Sequence, residues 1–182
     1  MNENELNIVS YTAVSLQHNM TGVAYAWKLK GDKGSTWEHH RYAIKASYKA
    51  VQVVLDAFID TIEEARERYG HLEKPLRFTL VTKQGDVLRG FNKMREEWES
   101  NGYVNRRGNK VEHQRLWKKL FKLSDQISVE VRPPIKDTNL IKACNSAARA
   151  AVNELYEASN DGEIDQQELD ALVANAIRKD RL

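Results

Sequence analysis

The chain has 182 residues, with 28 Lys and Arg against 26 Asp and Glu for a formal net charge of +2. That length suits one domain with an appendage rather than two domains, and 41% hydrophobic with 30% charged residues is the balance of a folded chain in water, not a disordered one. No apolar run approaches the roughly 18 residues that span a bilayer, and the acidic start Met1-Asn2-Glu3-Asn4-Glu5 lacks the pattern of a secretory signal, so a cytoplasmic location without membrane contact is expected.

Leu6, Ile8, Val14 and Leu16 predict a first strand, and the β-rich run Thr21 to Lys30 a second. Gly31-Asp32-Lys33-Gly34 reads as a turn into a third strand at about Ser35 to Ile44, which makes the N-terminal third an antiparallel meander. From Ser47 the period changes: Val51, Val54, Leu55, Phe58, Ile59 and Ile62 recur at helical spacing out to the stop at Gly70. Pro75 opens a strand from Leu76 to Thr82, and Gly85 ends it before a helix from Asp86 to about Glu99, which Asn101-Gly102 breaks. A loop to about Asn109 leads to a helix from Val111 to Leu123, then a short strand from Ile127 to Arg132, closed by Pro133-Pro134. Asp137-Thr138 caps an Ala-rich helix running through Ala143 to Tyr156, and a last helix begins near Asp165. The order βββαβααβα with an extra helix predicts an α/β fold, a five-stranded mixed sheet flanked by helices. Residues 1–156 are expected to form the domain and 157–182 an extension.

Charge is unevenly placed. Between Tyr103 and Leu123 there are seven basic residues and one acid, Glu112, so one face should be distinctly positive. The single cysteine, Cys144, sits among alanines and reads as a small buried residue without redox function.

The chain resembles bacterial-type ribonuclease H. From Thr82 to Leu120, the strand-to-helix run Thr82-Lys83-Gln84-Gly85 through Gly90 is followed by Trp98, Gly102, Tyr103, Val111, Leu116-Trp117 and Leu120 in the register of the family's Trp-rich basic protrusion. From Gln126 to Ala151, a short strand and a loop precede Cys144-Asn145-Ser146-Ala147-Ala148-Arg149-Ala150, similar to the family's cysteine followed by an Ala-Arg-Ala run. The resemblance spans about residues 5 to 156. It implies the ribonuclease H fold, with β-strands parallel after the meander.

In that family four carboxylates hold two hard Mg²⁺ ions. The resemblance places them here at Tyr11 (or Thr12, if the register slips by one), Ala50, Lys83 and Asn145, and the family's loop histidine at Ile135. Local misregistration does not restore the set. There is no Asp or Glu from Leu6 to Gly31, from His39 to Leu55, or from Lys74 to Gly85, and between Val131 and Asn153 only Asp137. The expectation is a fold without the metal chemistry: no cofactor, no metal, no nuclease activity.

The protrusion is then the main candidate for function. Arg106, Arg107, Lys110, Lys118 and Lys119, interleaved with Tyr103, Trp117 and His113, are the residue types that neutralise phosphates and stack on sugars or bases. Trp117 with Leu116 and Leu120 has equally the spacing of core packing. The family's basic cluster follows the first protrusion tryptophan, whereas here Trp98 is followed by Glu99-Ser100-Asn101 and preceded by Glu96 and Glu97, so the positive surface is displaced. Lys83 either anchors a phosphate in place of a metal or faces solvent. Residues 157–168 resemble a calcium-binding EF-hand loop, with Glu157 in place of the usual Asp; the simpler reading is a turn at Asn160-Asp161-Gly162 and a capping box from Asp165 to Glu168. His39 and His40 alternate across a strand and cannot chelate together, while Trp27 and Trp37 read as core.

The function expected is non-catalytic binding of a nucleic-acid duplex (RNA/DNA hybrid or double-stranded RNA or DNA) or of a nucleic-acid-processing machine. The alternative is a protein-interaction module that keeps the fold as scaffold.

Overall fold

A computed structural model describes residues 5–30, 36–46, 49–105, 107–136 and 138–160. Strand β1 (Leu6–Gln17) turns through His18 and Asn19 into β2 (Met20–Leu29). Both turn residues are left-handed, with φ of 52° and 57°, the backbone a two-residue hairpin needs to follow the sheet twist. β3 (Glu38–Ile44) pairs antiparallel with β2, while β4 (Leu76–Thr82) and β5 (Ser128–Arg132) add in parallel on the other side of β1, giving the order β3-β2-β1-β4-β5. This is the expected mixed five-stranded sheet.

Helices cover both faces, and the strands carry a different set of side chains for each. On β2, Val23, Tyr25 and Trp27 point to the large core under α1 (Ala50–Tyr69) and α4 (Gln114–Gln126). The alternating Ala24 and Ala26 point to the other face, where α5 (Asn139–Asn160) packs Cys144 and Ala148 against Ala13. Small residues let α5 come close: a Cβ on Gly22 would sit 2.4 Å from the Ala148 carbonyl oxygen. Across the sheet, the buried Ser10 and Thr61 hydroxyls lie 3.3 Å apart, and Thr61 also donates to Ala57 O at 2.8 Å, so the polar pair linking β1 to α1 is satisfied.

Several element ends differ from expectation. β3 begins at Glu38 rather than Ser35, which lies outside the described residues, as do Ser47 and Tyr48 before α1. The helix expected from Asp86 is built as α2 (Gly85–Arg89), a π-helical turn Gly90–Met94 and α3 (Arg95–Ser100). α4 starts at Gln114, not Val111, because His113 is left-handed at φ 55°, a conformation that no α-helix carries through; the Val111 N–H donates instead to Tyr103 O at 2.9 Å. Thr138 caps α5 as expected, its hydroxyl accepting the Ile141 N–H at 3.3 Å.

α5 runs on to Asn160, past the boundary expected at Tyr156. Glu157 and Ser159, the first two oxygens of the EF-hand-like reading, are therefore helical, and the Ser159 hydroxyl donates to Leu155 O at 2.7 Å. The rest of that loop and the helix expected near Asp165 lie outside the described residues. No helix among the described residues is long and apolar enough to cross a membrane.

Candidate nucleic-acid interface

The parallel pairing of β1 with β4 ends at Thr12 opposite Thr82, with Lys83 next in the chain. A small cavity at this point is lined by Tyr11, Thr12, Thr82, Lys83, Pro134 and Cys144. Tyr11 and Thr12 leave β1 on opposite faces: Tyr11 packs toward Trp37 on the α5 side, ring centroids 5.9 Å apart. Thr12 is buried, and its hydroxyl finds no hydrogen-bond partner among the described residues. The Thr82 hydroxyl accepts the Gln84 N–H at 3.2 Å, and Cys144 points its thiol at Tyr11 O, 3.8 Å away. Burial pushes that thiol up to about 11, so it is protonated at neutral pH.

Of the four positions singled out by resemblance, Tyr11 and Lys83 meet in this cavity. Asn145 follows Cys144 on α5 without lining it, and Ala50 opens α1 beside the corner where the Lys49 N–H reaches the Thr21 hydroxyl at 3.4 Å. Two hydroxyls, a neutral thiol and an ammonium are not a donor set for a hard divalent cation, which needs several carboxylate or carbonyl oxygens. The residues present do not fit the metal pair of ribonuclease H. Among the described residues no three His, Cys, Asp or Glu side chains gather in a way that would hold a metal ion.

A larger cleft of about 650 Å³ opens between the start of α1, the α2 to α3 segment and the loop before α4. Arg89, Arg107 and His113 line it together with Asp86, Glu97 and Glu112, so its walls carry both signs. His113 adds no cation at neutral pH: burial and the Lys49 charge hold its imidazole below the usual range against the opposing pull of Glu112. The π-helical turn forms one wall. There Gly90 lies against the Trp117 indole, and a Cβ would meet its ring at 2.5 Å.

The protrusion is less uniformly positive than its sequence. Arg107 and Lys110 are exposed, as are Arg115 and Lys122 on α4. Lys118 lies with its Nζ 4.8 Å over the Tyr103 ring, and Lys119 is paired with Glu63 of α1 at 2.7 Å. Arg106 is outside the described residues. Tyr103 is 6% exposed and Trp117 2%, so the two aromatics proposed for base stacking are core residues. Trp117 stacks on Phe121 at 5.6 Å and meets Trp98 edge-on at 5.2 Å. The half-buried Trp98 lines the cleft together with Arg89 and the more deeply buried Trp117.

No protein-family model matches the chain, and no curated protein matches it in sequence. Solved structures do match in shape. LC9-RNase H1, a type 1 RNase H with the type 2 active-site motif, superposes with a TM-score of 0.62 at 15% identity over 85% of this chain and 75% of its own. The foamy viral protease-reverse transcriptase in complex with RNA/DNA hybrid gives 0.57 at 18% identity over 80% of this chain, which corresponds to only 20% of that protein. The N-terminal RNase H domain of rv2228c from Mycobacterium tuberculosis gives 0.51 at 16% identity, with 82% and 98% of the two chains covered. The chain has the ribonuclease H-like fold. At these identities the likeness is one of fold alone.

Proposed function

We propose that this protein binds a nucleic-acid duplex, or a machine that processes one, and does not cleave it. The observation that carries the proposal is the junction of β1 and β4, where Tyr11 and Lys83, two of the positions to which the resemblance assigns the ribonuclease H carboxylates, line one small cavity with Thr12 and Thr82. A cation replaces an anion there, which favours a phosphate directly and disfavours an activated water. The exposed Arg107 and Lys110 and the outer face of α4 supply further phosphate contacts beside the large cleft. One structure of the same fold was solved on an RNA/DNA hybrid, which makes a hybrid the first duplex to try.

The test is a gel-shift panel of single strands, RNA/DNA hybrid, double-stranded RNA and double-stranded DNA at two salt concentrations, run beside a pull-down. A duplex shifted at low salt and released at high salt is the expected result. Retention of one protein partner with no shift of any nucleic acid would replace this reading with the protein-interaction one. That second reading draws on Ile135, which is 88% exposed in the loop beside Pro134 at the edge of the strand-end cavity.

A further inference from the structure

On the α5 side of the sheet, below the strand-end cavity, lies a separate pocket of about 270 Å³. Strand alternation builds its floor from Val9 and Thr79, which are paired neighbours on β1 and β4. The aromatic rings of Tyr11 and Trp37 form one wall, and Thr138 and Leu140 at the start of α5 close the top. Lys30, just past the end of β2, and Arg132 of β5 stand on opposite sides. A third cation is close by: Lys28 is paired with Val9 in the sheet and holds its Nζ 4.9 Å over the Trp37 ring.

No acid lines this pocket among the described residues. The sheet register sets one beside it, Glu130 opposite Thr79, and that carboxylate lies 3.5 Å from the Arg132 Nε, leaving Lys28 and Lys30 without an ion pair among the described residues. An aromatic wall next to unbalanced cations and two threonine hydroxyls is the chemistry that holds a planar base and a phosphate together. At about 270 Å³ the pocket lies just under the roughly 300 Å³ at which ligand pockets begin, so it holds at most a single nucleotide and excludes a duplex.

We infer that this pocket binds one nucleotide, with its base against Tyr11 and Trp37 and its phosphate on Lys30, while Arg132, paired with Glu130, closes the far side. The site is independent of duplex binding at the protrusion. The nucleotide comes either free or from a single strand.

Calorimetric titration of the full chain with AMP, adenosine, inorganic phosphate and a single-stranded adenine tetranucleotide tests it. AMP should bind more tightly than adenosine or phosphate, and the double variant Lys30→Gln, Arg132→Gln should weaken AMP by about tenfold or more. The control variant Arg107→Gln, Lys110→Gln should leave AMP affinity unchanged, so that loss of protrusion binding and loss of the pocket are read separately. A tetranucleotide that binds more tightly than AMP and is weakened by the pocket variant supports a single strand as the source; equal affinity supports a free nucleotide. Absence of AMP binding at millimolar concentration, AMP affinity no better than that of adenosine and phosphate, unchanged affinity in the pocket variant, or equal loss in the control variant would overturn the inference.

Discussion

The indole N–H of Trp27 donates to the Glu64 carboxylate at 2.8 Å, joining the middle of the sheet to the second half of α1. The same oxygen lies 3.2 Å from His40 Nε2, and the His40 ring stacks on Tyr25 at 4.8 Å. Arg68 completes the group, paired with Glu38 and lying 5.1 Å over the Trp27 ring. Burial alone would push Glu64 up, but His40, Trp27 and Arg68 outweigh it and hold the carboxyl below its usual range.

A carboxylate whose folded pKa is lowered contributes stability above its unfolded pKa, and that contribution is lost as pH falls through the folded value. Glu64→Gln should therefore cost about 1.5–3 kcal/mol near neutral pH, the range for hydrogen bonds to charged groups. Below about pH 4 the parent should lose melting temperature more steeply than the variant. Parallel melting curves across that range would mean that Glu64 is not the ion that ties α1 to the sheet.

Glycine contacts give a graded set of stabilities. At Gly22 an added Cβ would meet the Ala148 carbonyl oxygen at 2.4 Å and Val152 Cγ2 at 2.6 Å, and backbone cannot rotate away. At Gly90 the obstacle is the Trp117 ring at 2.5 Å, while at Gly70 nothing lies within 4 Å and φ is −61°. Gly22→Ala should be the most destabilising, at or above the roughly 1–3 kcal/mol typical of overpacking, with Gly90→Ala also destabilising. Gly70→Ala should be neutral or stabilise by up to about 1 kcal/mol. Denaturant titration of the three variants reads the order directly.

The sheet was legible because its cues are local. Thr21 to Lys30 is β-rich, and the period change after Ser47 marks α1 within a few residues. The split of β2 into a large-residue face and an alanine face follows the same alternation, with Val23, Tyr25 and Trp27 interleaved with Ala24 and Ala26. Trp117 was ambiguous because its spacing to Leu116 and Leu120 fits both a buried stripe and a ligand face, and only the contacts to Trp98 and Phe121 decide it. The π-helical turn had no local signature. The pocket of Lys30, Trp37 and Arg132 was illegible because strand pairing brings together residues distant in the chain.

Nuclease activity should be absent on RNA, hybrid and DNA with either Mg²⁺ or Mn²⁺. Lys83→Asp alone should not create it, because the metal pair needs several oxygen ligands at once. Duplex binding should persist in EDTA, weaken in Lys83→Ala and weaken further in Lys83→Glu through repulsion. Metal-dependent cleavage by protein freed of contaminating nuclease would overturn the non-catalytic reading. Affinity unchanged from the parent in both Lys83 variants would remove the strand-end cavity from the interface.

The final prediction concerns the protrusion, whose cations are all exposed among the described residues and differ in what they touch. Lys119 is paired with Glu63 at 2.7 Å and Lys118 lies over the Tyr103 ring, whereas Arg107, Lys110, Arg115 and Lys122 are exposed without such a contact to the fold among the described residues. Every duplex phosphate that a protein cation neutralises adds about 0.9 to the steepness with which log affinity falls against log salt. Replacing Arg107, Lys110, Arg115 and Lys122 together by glutamine should weaken binding and flatten that slope, by up to about 3.6 if all four touch phosphate. The pair Lys118→Gln, Lys119→Gln should change the slope less and the melting temperature more, since it removes interactions within the fold. A reversed ranking, with the Lys118 and Lys119 pair dominating the salt dependence, would mean that α4 meets the duplex with the face it here turns toward Tyr103 and α1.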